Sequence, residues 1–222
     1  MKHFILTALL TISFATWAST SFAAQCISPS RIKQNAALLE STEGRGLGTG
    51  VLYQDDILIT TYSNTQKAKN LQAYIPAYDN VSHNLKVLYA HPRPDIAIMK
   101  LAEPVSDTIP LTLARKVLRA EPMRFLSFPF NNRKRLGTAG TRLNTLARFT
   151  DDTRLLYFSA TLDDWAFYGD NGGIFFNCKG ELVGLNFGMI NEGKKPELIY
   201  GLNMRAIEDA LNAAGVPVRR EY

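Results

Sequence analysis

Gly169-Asp170-Asn171-Gly172-Gly173, running straight into Ile174-Phe175-Phe176, is the stretch on which this chain turns. Glycines give the backbone conformations that other side chains forbid. The apolar run behind them reads as a short strand. Lys179-Gly180 then marks a hairpin turn, and residues 182–187 read as the returning strand.

The same pattern recurs outward from that hairpin. Residues 50–53, 57–61, 71–75, 85–89 and 96–101 read as strands in the first half. Residues 124–127, 141–147, 155–160, 174–177 and 198–202 add to them in the second half. Short strands at this spacing predict an all-β sandwich or barrel. Gln54-Asp55-Asp56 predicts another hairpin turn. One helix is expected near the end: Asn203 can cap it, and Ile207, Ala210, Leu211 and Ala214 share a face. Gly215 and Pro217 would stop it. A weaker helix is read over residues 30–37, and Arg219 to Tyr222 reads as a polar tail. No repeat, low-complexity tract or long linker interrupts the chain.

The chain has 222 residues, 46% apolar and 20% charged, an ordinary globular composition. Its beginning stands apart. Lys2 precedes an apolar stretch from Phe4 to Ala18, and Ser21-Phe22-Ala23 supplies small residues before a cleavage point. This is the three-part pattern of a secretory signal peptide, residues 1–23, leaving residues 24–222 as the mature domain. Gln25 before Cys26 argues against a lipid-modified cysteine. An exported, periplasmic or secreted protein is expected.

Cys26 and Cys178 are the two cysteines. An even count in an oxidising compartment points to a disulfide, worth up to about 5 kcal/mol for so long a loop. A buried thiol at Cys178 and a free one at Cys26 is the alternative. Without Lys2 the mature chain carries 24 basic and 20 acidic residues. Basic residues gather between Arg115 and Arg154, with Arg133-Lys134-Arg135 the densest run. Such a surface attracts acidic partners, and export argues against nucleic acid. Solvated loops are the plainer reading.

Three segments, in order, resemble the trypsin-like serine proteases, most closely the bacterial HtrA type. Gly48-Thr49-Gly50-Val51-Leu52 followed by residues 57–63 resembles the hairpin that carries the catalytic histidine; that position falls on Ser63. Arg93-Pro94-Asp95 and the strand after it resemble the segment of the catalytic aspartate, which falls on Asp95. The Asn171 turn and its hairpin resemble the nucleophile loop, with Asn171 where the family has serine. The resemblance runs from about Gly46 to Ala214 and implies two six-stranded β-barrels with a C-terminal helix. HtrA-type proteases often carry a peptide-binding PDZ domain next, and none is expected here.

The resemblance then implies lost chemistry. Serine proteolysis needs a nucleophile, a base and a group to orient the base. An amide at 171 is no nucleophile, and Ser63 does not titrate near neutrality. Losing such a triad costs about a millionfold in rate, roughly 8 kcal/mol. His91, four residues before Asp95, is a remote substitute base. The expectation is therefore no enzyme, no metal and no cofactor, but a pseudoprotease that binds protein or peptide. A residual or unorthodox serine-type endopeptidase is the alternative, and a binder of anionic envelope polymers through the basic run is the second.

Backbone N–H groups of Gly169 and Asn171 would keep an oxyanion-hole-like pocket. Trp165, Phe167 and Tyr168 stand where the family has its specificity pocket; they either fill it or offer a sticky surface. By the same resemblance Leu185-Asn186-Phe187-Gly188 is the strand edge that pairs with a peptide, with Leu185, Asn186 and Phe187 the candidate binding residues.

Overall fold

Ser28 caps a first helix by accepting a hydrogen bond from Ser30 N–H, and Pro29 supplies a preset first helical turn. The result is α1 (Pro29–Lys33), which ends before the first strand rather than continuing to Ala37. In this computed structural model the described residues are 28–43, 46–78, 81–128, 136–147, 157–162, 171–190 and 198–220.

The first barrel is built from β1 (Ala36–Ser41), β2 (Gly46–Gln54), β3 (Ile57–Thr60), β4 (Leu71–Tyr74), β5 (Ser82–His91) and β6 (Ile96–Leu101). A short helix, α2 (Tyr62–Thr65), follows β3. The strands close in the order β1-β2-β3-β6-β5-β4. The second barrel is built from β7 (Pro122–Ser127), β8 (Gly137–Ala147), β9 (Tyr157–Leu162), β10 (Ile174–Asn177), β11 (Leu182–Ile190) and β12 (Leu198–Asn203). It closes in the order β10-β11-β12-β9-β8-β7. Every neighbouring pair is antiparallel. The double six-stranded barrel of the trypsin-like class is therefore the observed fold. The strand missed in the sequence is β1, whose first residues were read as helix.

The barrels share one apolar core. Val51, Ile59 and Ile98 of the first pack in the same cluster as Leu126, Ile174, Phe176 and Leu185 of the second. The connecting segment is stitched to β11, because Leu182 N–H donates to Thr112 O and Ala114 N–H donates to Leu182 O. The chain ends in α3 (Met204–Ala213), capped by Asn203 Oδ1, which accepts from Arg205 and Ala206 N–H. Ile207, Ala210 and Leu211 are buried on its inner face, and Gly215 leaves the helix at φ +72°.

The expected polar tail is corrected in part. Arg219 N–H donates to Tyr53 Oη at 2.6 Å, and Arg219 O accepts from Leu113 N–H at 2.8 Å. The tail is held on the fold through Arg219, and burial raises the Tyr53 hydroxyl above its ordinary range.

Candidate functional site

The site lies where hairpins of the two barrels meet. β3 delivers the chain into α2, which carries Ser63. Asp95 stands at the turn before β6 with φ +52°, a left-handed conformation that Asp tolerates better than most residues. Its carboxylate is held by Ser63 twice. Ser63 N–H donates to Oδ1 at 2.6 Å and Ser63 Oγ–H to Oδ2 at 3.1 Å. Partial burial raises the Asp95 carboxyl above its usual range; the two Ser63 donors and the Lys67 ammonium pull the other way.

Asn64 joins this pair to the second barrel. It is fully buried, and its Nδ2 donates to Asn171 O at 2.9 Å and to Thr60 Oγ1 at 3.1 Å. Its Oδ1 accepts from Lys67 Nζ at 2.8 Å, which also donates to Leu47 O at 2.6 Å. Partial desolvation lowers the Lys67 ammonium below its ordinary range, and Asp95 opposes that shift. Asn171 O accepts a second hydrogen bond from Thr49 N–H at 3.0 Å.

The Asn171 turn is equally tied to its own barrel. Gly172 N–H donates to Asn186 O at 2.7 Å, and Asn186 N–H donates to Gly173 O at 2.6 Å. Gly172 has φ +83°, and a Cβ there would lie 1.9 Å from Thr49 O. Only glycine lets the turn dock at that distance. Gly48 is similarly confined, since a Cβ would lie 2.4 Å from Asn64 Nδ2.

Ser63 and Asp95 are thus in direct contact, and Asn171 is one residue of chain away through Asn64. Two expected cleft residues are placed elsewhere. Leu185 is fully buried and pairs with both Ile174 and Leu202, inside the barrel rather than on an edge. Asn186 is also buried, and its backbone N–H and C=O serve the Asn171 turn. Phe187 sits at a bulge in β11, half-buried against the shared core. The β10 ladder stops at Leu185, while β11 runs on to Ile190 with β12 along one side. Among the described residues no strand pairs with Gly188–Ile190 on the β10 side. A Cβ built on Gly188 meets nothing within 4 Å.

His91 ends β5, exposed, with its Nδ1 accepting from Arg93 N–H. Trp165, Phe167, Tyr168 and Gly169 lie outside the described residues, as do Arg133, Lys134, Arg135, Cys26 and residues 1–23. Among the described residues no group of His, Cys, Asp and Glu could hold a metal, and no helix is long and apolar enough to cross a membrane. The residues that sequence reasoning missed are Asn64 and Thr49. Their partner Asn171 is over a hundred positions away, and no local pattern marks such a contact.

With this geometry in hand, the family follows. Residues 48–185 match the model of the trypsin-like peptidase domain, and the chain belongs to that family. No curated protein matches the sequence. The Rv3671c protease of M. tuberculosis in its active form shares the fold with a TM-score of 0.70 at 16% identity, over 86% of each chain. The HtrA-type protease AlgW with a decapeptide gives 0.70 at 14% identity, over 83% of this chain and 65% of AlgW. A serine endoprotease from Yersinia pestis gives 0.69 at 15% identity, over 85% of this chain and 66% of that one.

The expectation that the chain is no enzyme is corrected by these findings. The family is one of peptidases, and the fold is shared with a protease in active form. Nothing observed in this chain shows inactivity, and the family points to protease activity. The expectation took two replaced residue types as the whole of the site's chemistry. The structure keeps a hydroxyl and a carboxylate in contact at Ser63 and Asp95.

Proposed function

We propose that this chain is an exported member of the trypsin-like peptidase family that receives an extended polypeptide between its barrels. The observation that carries the reading is the length of β11. Its Gly188–Ile190 end outruns β10 beside the Asn171 turn, with open space at Gly188. A strand edge of this kind recognises an extended segment through main-chain hydrogen bonds, whatever its sequence. AlgW, of the same fold, was solved with a decapeptide.

Export rests on the signal-peptide pattern of residues 1–23, with residues 24–222 as one working unit in the envelope or outside the cell. Cys178 is half of a disulfide, and Cys26 is the one other cysteine in the chain. A Cys26–Cys178 bridge would fasten the mature N-terminus to the end of β10.

The Ser63–Asp95 contact favours a second reading, in which the bound segment is also cut. Ser63 Oγ would attack the peptide carbonyl while its proton passes to Asp95 Oδ2. The leaving amine takes that proton, and water then releases the acyl group from Ser63.

Labelled, unfolded β-casein mixed with the mature protein tests both readings together, with anisotropy reporting binding and gels reporting cleavage. Gly188→Val fills the open space beside the edge and is expected to weaken binding at least tenfold. Unchanged binding in that variant would reject the edge as the docking strand. Ser63→Ala is expected to abolish any cleavage while leaving binding in place; cleavage that survives it removes Ser63 from the chemistry.

A further inference from the structure

A cavity lies at the opposite end of β10 from Asn171. It has a volume of about 420 Å³ and opens between α1, the segment joining the barrels and the β10–β11 turn. That volume is in the range of small-ligand sites. Four strand residues at about 3.3 Å each separate the two turns. None of Ser63, Asp95 and Asn171 lines the cavity.

Asn35 gives the cavity its chemistry. It is 1% exposed and lines the wall. Its N–H donates to Ile32 O, and its C=O accepts from Leu52 N–H at 2.7 Å. Its Nδ2 donates to Leu52 O and to Ile109 O, both at 2.8 Å. Of Asn35's polar atoms, Oδ1 is the one left buried with no partner among the described residues. Turning the amide over would sacrifice two good hydrogen bonds, so the acceptor is fixed and asks for an N–H or O–H.

The rest of the lining says what should accompany that donor. Arg31 and Lys179 are exposed at the cavity, and among the described residues no carboxylate lines it. Among the described residues neither cation is in an ion pair. Ile32, Pro110 and Leu111 supply an apolar wall. The complementary ligand is an anion with a hydrogen-bond donor next to it and an apolar group attached. Inorganic phosphate lacks the apolar group, and a fatty acid lacks the adjacent donor.

We propose that this cavity binds the carboxyl-terminal end of an acylated amino acid, as presented by a polypeptide C-terminus or a free N-acyl amino acid. The carboxylate faces Arg31 and Lys179, the amide N–H meets Asn35 Oδ1, and an apolar side chain rests on Ile32 and Leu111. The site is independent of the β11 edge.

The test uses the mature, disulfide-intact protein and a labelled Gly/Ser peptide ending in leucine. Binding is expected for the free carboxylate and at least tenfold weaker for the C-terminally amidated peptide. An ester in place of the last amide removes the N–H and is expected to weaken binding about as much. Lys179→Glu and Arg31→Glu, both surface changes, should each lose tenfold or more while the circular dichroism spectrum stays the same. Gly188→Val should leave this binding unchanged, which separates it from the casein edge. N-acetyl-leucine that competes as well as the peptide assigns the site to the small molecule, and weak competition assigns it to a polypeptide end. Equal binding of the free and amidated peptides, or binding by none of the probes, overturns the proposal.

Discussion

β10 is bracketed by two glycine turns that look alike in sequence and are held in different ways. Gly172 and Gly180 have nearly the same left-handed φ, +83° and +81°. The backbone of the Asn177–Glu181 turn is closed by its own residues, and Cys178 adds a tie outside the turn. Asn177 Oδ1 accepts from Lys179 and Glu181 N–H, and Gly180 N–H returns to Asn177 O. The Asn171 turn is held from outside. Thr49 and Asn64 of the other barrel take its carbonyl, and β11 takes the backbone of Gly172 and Gly173. A turn secured by its own residues can change without disturbing its neighbours. A turn secured by two barrels reports on how those barrels fit, and it is the one beside Ser63 and Asp95.

The sharpest way to break this contrast is to place alanine at each glycine. Gly172→Ala drives a Cβ into Thr49 O, and the barrels must separate locally to admit it. We expect a loss of at least about 3 kcal/mol, or roughly 6–12 °C in melting temperature, by calorimetry. Gly180→Ala should cost only the left-handed penalty, about 1–2 kcal/mol. Equal losses would show that the two turns are not held differently.

Asn64→Ala sharpens the same point from the other barrel. It removes the side-chain donor to Asn171 O and leaves the buried Thr60 Oγ1 without the donor it accepts from. A loss of about 2–3 kcal/mol is expected, with faster amide exchange at residues 171–173. Exchange faster around Asn177 instead would place the coupling at the wrong turn.

The smallest expected effect is electrostatic. Burial raises the Asp95 pKa in the folded state, so the folded protein holds that proton more tightly than the unfolded chain. The associated stability is present below the ordinary carboxylate pKa and is lost as pH rises through the raised value. Asp95→Asn should therefore gain on the wild type as pH rises through that window, then hold a constant difference. Partial exposure screens the effect, to about 2 °C or less in melting temperature. A variant that gains on acidification instead would reverse the assigned cause.

Much of this architecture was legible because its signals are local. Short apolar runs, the Lys179-Gly180 turn and the Asn203 cap each announce themselves within a few residues. β1 was not, since Pro29 and the residues after it do start a helix, and only pairing with β2 and β4 makes Ala36–Ser41 a strand. Asp95 and Ser63 could be aligned in order, but their hydrogen bond could not be read from spacing. Leu185 and Asn186 were assigned to an edge because an apolar strand gives no sign of where its neighbour ends. The end of β10 decides that, and among the described residues it leaves Gly188, the far end of the expected edge, with no strand on the β10 side.

The central claim is that an extended polypeptide docks on that edge. Hydrogen exchange of the mature protein, with and without saturating unfolded β-casein, tests it most directly. The account predicts new protection at Gly188–Ile190 and at the Asn171 turn, with little change at the Asn177–Glu181 turn. Casein binding that leaves Gly188–Ile190 unprotected would contradict it.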